Sequence, residues 1–219
     1  MRVRLSTMPT FGVLGSGEVG RVLARGLQAH GYDVRIGSRS PKKLAGFATE
    51  TGIQAGTFAD VGRWGEALVL AVAGTGAESA LGQVGKAQLR GKIVIDTTTP
   101  LGNEPPEQGV LRYFTGPNDS LMERLQRANP EARFVKAFNS VGSALMVNPD
   151  FRGTRPTMFY CGNDAAAKAE VARVLDQFGW EGADMGGVVA ARAIEPLAML
   201  WCIPGLLQNS WTHAFHLLK

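Results

Sequence analysis

Apolar residues in this chain come in short dense runs rather than in strict alternation. Phe11–Leu14 and residues 67–72 and 92–96 are the densest, and Val34–Gly37, 133–138 and 157–162 carry similar runs. Runs of this length, closed off by Gly, Asp, Asn or Ser, predict strands buried on both faces, as in a parallel sheet. Weaker strands are predicted at 52–57 and 180–185. Helical spacing fills the intervals. Val19, Val22, Leu23, Gly26 and Leu27 share one face, and His30 and Gly31 stop that helix. Further helices are predicted at 41–51, with Pro41 in its first turn and Leu44, Phe47 and Ala48 inward, and at 60–64, with Asp60 as cap. Others are predicted at 74–89, at 120–128 and at 165–178, the last capped by Asn163 and Asp164. Residues 101–118 are rich in Gly and Pro and read as a loop, one able to move over a site. Met1 to Pro9 reads as a short tail.

Strand and helix alternate repeatedly, so the fold class is α/β, a doubly wound, mostly parallel Rossmann sheet. From Val188 on, the chain reads as helical and unusually apolar, with a break or bend at Pro204 and Gly205. The whole chain, 1–219, is read as one domain. Its extension 186–219 builds an acceptor pocket, a dimer interface or both.

The first strand–turn–helix–strand unit carries Gly15-Ser16-Gly17-Glu18-Val19-Gly20, which fits G-x-G-x-x-G. In that context the motif predicts dinucleotide binding. Gly15 permits the turn out of the strand, Gly17 leaves room for a pyrophosphate, and Gly20 lets the helix pack closely. The free N–H groups of the helix start, helped by its dipole, favour the negative charge. An NAD site places Asp or Glu after the second strand. Here that place reads Gly37-Ser38-Arg39-Ser40-Pro41-Lys42-Lys43. Ser38, Arg39, Ser40 and Lys42 or Lys43 suit a ribose 2′-phosphate, hence NADP(H). Two charge-assisted bonds would favour NADPH over NADH by about a hundredfold.

Ligands of such sheets lie beyond the C-terminal strand ends. Val72, Ala73, residues 96–100 and Asn139 fall there. Asp96 is read as a loop organiser rather than a catalytic acid. Asn139 suits either an Asx-turn or an amide that orients a nicotinamide or acceptor ring.

Composition narrows the partners. The chain has 219 residues, 45% hydrophobic and 19% charged, with net charge +4. No dense basic face with interleaved aromatics is present, so nucleic acid is not an expected partner. Cys161 and Cys202 are far apart and read as free buried thiols in a reducing, cytoplasmic setting. No metal-ligand spacing is found, and His213 and His216, three apart on one expected helical face, lack further ligands. The N-terminus shows no signal peptide. Arg192, Glu195, Pro196 and Pro204 interrupt the apolar C-terminal stretch, so a membrane span is not expected.

In GVLGSGEVGRVLARGL, VRIGSRSPKK, KIVIDTTTPLG, FVKAFNSVGSALM, PTMFYCGNDAAAKAEV and ARAIEPLAMLW the chain resembles the NADPH-dependent coenzyme F420 reductase family. The same fold occurs as the cytoplasmic reductase domain of six-transmembrane metalloreductases. The resemblance implies an NADP-binding, usually dimeric oxidoreductase. Ser16 and the N–H groups after Gly17 would hold the pyrophosphate. Val72, Ala73 and Ala137 would line the nicotinamide. A deazaflavin would be walled by residues 139–142 and the C-terminal helices. Two departures stand out: residues 72–73 lack the family's common proline, and Asn139 replaces the His of archaeal members.

The chemistry expected is hydride transfer between NADPH and coenzyme F420 or a flavin, with no essential side-chain acid or base. No Tyr is followed four residues later by Lys, and in G-x-x-x-K-x-x-N, Gly82 and Lys86 match but Leu89 stands at the Asn position. The alternatives are an NADPH reductase for free flavin, quinone or ferric chelate, and a non-catalytic NADP-binding sensor or scaffold.

Overall fold

A computed structural model describes residues 9–219; the tail expected at 1–9 falls outside them, Pro9 excepted. The elements are β1 (Phe11–Leu14), α1 (Glu18–Ala29), β2 (Val34–Gly37), α2 (Ala45–Thr51), β3 (Gln54–Gly56), α3 (Phe58–Trp64), β4 (Ala67–Leu70), α4 (Ala77–Val84), α5 (Lys86–Leu89) and β5 (Ile93–Asp96). There follow α6 (Leu121–Ala128), β6 (Arg133–Lys136), β7 (Thr157–Tyr160), α7 (Ala165–Gln177), β8 (Glu181–Asp184) and α8 (Ala191–Gln208).

Six strands form a parallel sheet in the order β3-β2-β1-β4-β5-β6. This is the Rossmann order, whose chain reversal between β1 and β4 opens a crevice at their C-terminal ends. β1 and β4 are buried along their whole length, as their unbroken apolar runs require. One core layer packs α1, α7 and Trp180 on the sheet, and the other packs α3, α4 and α6. β7 and β8 pair with each other in parallel, and a single antiparallel bridge, Lys136 to Cys161, joins β7 to β6.

Several boundaries differ from the sequence reading. Thr57, not Asp60, caps α3; Asp60 completes the capping box three residues on. The helix expected over 74–89 is divided at Gly85, whose φ of +88° a right-handed helix cannot contain. α8 runs unbroken through both Pro196 and Pro204. Residues 209–219 are not helical. The Trp201 indole N–H donates to the His213 carbonyl, and His213 Nε2 lies 2.9 Å from the Trp201 carbonyl. His216 reaches the Arg155 carbonyl instead, so the two histidines share no helical face.

α8 seats Ala191, Ile194, Glu195, Ala198, Trp201 and Gly205 against the body. Despite its interruptions, the segment Val188–Gln208 is long and apolar enough to cross a bilayer by length and composition alone. In this fold one side of α8 packs on the body and carries the buried Glu195, whose contacts are described next.

Candidate active site

The cleft begins where β1 runs out. Gly15 takes φ +147°, and a Cβ there would run into the Ala71 carbonyl at the end of β4. A Cβ on Gly20 would strike the carbonyl of Gly15, so these two glycines let loop, strand end and helix close on one another. Gly17 is different: nothing stands within 4 Å of where its Cβ would be. It is the N-cap of α1, whose first-turn N–H groups have no intrahelical partner. The space and the donors therefore fit a pyrophosphate. Arg21 braces the loop: its Nε donates to the Ser16 carbonyl at 3.0 Å, and its guanidinium reaches the Lys43 carbonyl at 3.4 Å. Sequence reasoning passed over Arg21, because a cation one residue after the last glycine resembles any exposed helix residue.

Two adjoining cavities follow, of about 470 and 410 Å³. The first is lined by Gly15, Ser16, Gly17, Ser38, Arg39, Ser40, Lys43 and Phe58, with no carboxylate among the described lining residues. Ser38 Oγ accepts the Ser40 N–H at 3.1 Å, folding the turn so that Arg39 is exposed. Lys43 lines the cavity, whereas Lys42 does not. The second cavity shares Gly17, Ala71, Val72 and Ala73 with the first and adds Glu18, Val19, Gly74, Thr75 and residues 97–99 and 101–103. By the two-halves logic of the fold, the first suits the adenosine side and the second the nicotinamide side. Ala137 is fully buried and Asn139 nearly so, its amide donating to the Ile194 carbonyl at 2.9 Å. The structure brings neither to the cleft surface.

Beneath the cleft lies a charged network that sequence reasoning did not assemble. Lys136 Nζ, fully buried, stands 2.7 Å from Asp96 Oδ2 and 2.9 Å from Glu195 Oε1, and donates to the Thr98 carbonyl at 2.8 Å. Asp96 Oδ1 accepts the Thr98 N–H and hydroxyl. One cation faces two carboxylates. The surplus charge on Glu195 is met by the Leu121 and Met122 N–H groups, both at 2.9 Å, at the start of α6. Burial alone would depress the Lys136 ammonium, but attraction to Asp96 and Glu195 outweighs it and holds the pKa above the ordinary lysine value. Asp96 is thus the loop organiser expected: with Lys136 it fixes Thr98 in the cleft wall.

The Gly/Pro-rich stretch is an irregular hairpin. Leu101 bridges Tyr113 and Glu107 bridges Val110, with Gln108 and Gly109 at positive φ in the tip. The Tyr113 hydroxyl donates to the Glu195 carbonyl at 2.8 Å. Gly109 sits so close to the Leu207 side chain that a Cβ would collide with it. The hairpin therefore spans from the cleft to α8.

Residues 10–100 match the family model described as NADP oxidoreductase, coenzyme F420-dependent. A solved structure of a candidate F420-dependent NADP reductase from Arthrobacter sp. FB24 is 34% identical, superposes with a TM-score of 0.90, and covers 97% of this chain and 100% of its own. Among curated proteins, the metalloreductase STEAP3 of Rattus norvegicus is 31% identical over 204 residues, 91% of this chain. The chain spans 39% of that protein and 40% of the human metalloreductase STEAP2, to which it is 28% identical. An imine reductase from Myxococcus stipitatus, solved with NADP⁺, shares the fold at 19% identity and TM-score 0.65, covering 92% of this chain and 63% of its own.

Proposed function

The chain belongs to the coenzyme F420-dependent NADP oxidoreductase family, and from that membership we propose that it passes hydride between NADPH and a deazaflavin of the F420 type or a flavin. The observation that carries this reading is the asymmetry of the cleft. Its adenosine side gathers Ser38, Arg39, Ser40 and Lys43, a donor set for a 2′-phosphate. Its nicotinamide side is walled by Val72, Ala73 and the three threonines 97–99, with Glu18 the sole charged residue among the described lining residues.

NADP(H), when bound, supplies the hydride. The residues position and shield. The N–H groups after Gly17 take the pyrophosphate, and Arg39 with Lys43 takes the 2′-phosphate. Thr98, fixed by Asp96 and Lys136, sets the shape of the nicotinamide wall. Transfer between two ring systems needs no side-chain proton relay, only orientation and exclusion of water. The dimer implied by the family would use the outer face of α8, where Leu200 and Leu207 are 55% and 58% exposed.

A second reading, an NADPH reductase for flavin, quinone or ferric chelate, is favoured by the 31% identity to a metalloreductase. Anaerobic oxidation of NADPH, followed by loss of its absorbance with F420, FMN, FAD, a quinone and a ferric chelate in parallel, separates the two. Turnover with F420 supports the first. Turnover only with flavin, quinone or ferric chelate moves the protein to the second.

A further inference from the structure

The geometry points to the chamber beneath the Leu101 to Phe114 hairpin as the seat of the electron acceptor, a planar redox-active ring held against Phe114 and Tyr113. This rests on the hydride-transfer reading above.

The chamber has a volume of about 600 Å³, within the range that encloses a ring system of flavin size. It shares Gly74, Thr75, Gly102 and Asn103 with the nicotinamide side of the cleft. It shares nothing with the adenosine side. A ring lying in it would meet the nicotinamide edge without crossing the 2′-phosphate end. Its remaining walls are Leu121 and the aromatic surfaces of Phe114 and Tyr113, suited to stacking, with a rim of Glu78, Glu104 and Arg112. The wall is held in place by the Tyr113 bond to Glu195 and by Gly109 against Leu207.

The location expected from the resemblance, between residues 139–142 and α8, is filled. A Cβ on Gly142 would collide with the Trp201 ring, and Phe138 through Val141 are buried. Within one copy of the chain, the hairpin chamber is a cavity that adjoins the nicotinamide side away from the 2′-phosphate end.

In the step served by this arrangement, two electrons and a proton leave NADPH as hydride and form a C–H or N–H bond on the acceptor ring. NADPH becomes NADP⁺, and the reduced ring takes any second proton from water.

The test uses the full chain, with riboflavin, FMN, coenzyme F420 and a benzoquinone as probes. Quenching of flavin emission by protein saturated with NADP⁺ reads acceptor binding without turnover; NADPH affinity is read separately from nicotinamide fluorescence. Phe114→Ala should raise both the acceptor Kd and its KM about tenfold, the loss of one stacking surface, while the NADPH Kd stays within about twofold. Phe114→Tyr should restore binding. Glu78→Trp, an exposed α4 position lining the chamber but not the cleft, should block the acceptor by filling the space and also spare NADPH. Unchanged acceptor binding in both Phe114→Ala and Glu78→Trp would overturn the assignment, even with rapid turnover by the unaltered protein. If the unaltered protein turns over none of the probes, the hydride-transfer reading falls. The binding titration then still decides the chamber, and absence of quenching overturns it.

Discussion

At the scale of single residues, the site divides into what a local motif shows and what only folding brings together. Gly15, Gly17, Gly20, Ser38 and Arg39 were legible because the fingerprint and the end of β2 lie within one short unit. Lys136, Asp96 and Glu195 were not, since three charges scattered along the chain carry no spacing signal until β5, β6 and α8 meet. Asn139 looked like a cleft residue from its position after β6, but the chain turns inward there and its amide is taken by Ile194. Arg39→Glu should weaken NADPH binding by about tenfold to a hundredfold, from loss of a charge-assisted bond, and leave NADH unaffected; paired fluorescence titrations check this. If the unaltered protein binds the two cofactors equally, the 2′-phosphate assignment is wrong. Lys136→Met leaves two carboxylates buried without a cation and should cost about 3–5 kcal/mol of stability, seen as a lower urea midpoint. Because the folded-state pKa of Lys136 is raised, its contribution is complete below the unfolded value of about 10.4 and is lost only as pH rises beyond it. The gap between Lys136→Met and the unaltered protein should therefore persist across neutral pH and narrow in strong alkali.

At the scale of elements, α8 is tied to the body by polar contacts at four places: Glu195 to Lys136 and α6, Tyr113 to the Glu195 carbonyl, Asn139 to the Ile194 carbonyl, and Arg192 to Glu123. The last is a two-point contact, at 2.9 and 2.7 Å. The Arg192 guanidinium holds the Glu123 carboxyl below the usual range, burial opposing it and the Ser120 hydroxyl assisting. A depressed carboxyl stabilises the fold above its unfolded pKa of about 4.3, and this is lost as pH falls through the lower folded value. Glu123→Gln should thus flatten the drop in thermal midpoint between about pH 5 and pH 3, measured by calorimetry. An unaltered acid profile would show that the pair contributes nothing. The sequence marked the start of α6 and the apolar mass of α8 correctly. It missed the order in the hairpin, whose Gly and Pro content hides two bridges, and it extended α8 through 209–219, where indole and imidazole contacts replace helical ones.

At the scale of the molecule, a parallel doubly wound sheet followed from the alternation of strand and helix, because parallel strands need crossovers and these have one hand, whereas the order β3-β2-β1-β4-β5-β6 came from the structure. The separate pairing of β7 with β8 did not, since a strand's apolar run says nothing about which edge it joins. The cysteines illustrate the same division. Burial pushes the Cys161 thiol up to about 12, so in the folded protein it should resist alkylation at neutral pH and react only on unfolding, a difference that mass spectrometry of iodoacetamide-treated samples reads directly. Sedimentation should find a dimer that Leu200→Glu dissociates, without loss of NADPH binding; a monomer in the unaltered protein would refute the role of the α8 face.

The buried network also sets an order of assembly. Lys136 and Asp96 meet when β5 and β6 pair, but the second carboxylate, Glu195, comes from α8, which is distant in sequence, so the network should be completed last. Until that helix docks, the strand ends stay hydrated and Thr98 is held only in part. Mutations in β1 or α1 should slow refolding, whereas those at Glu195 should act on the last step. Recovery of NADPH binding would then lag behind recovery of the sheet.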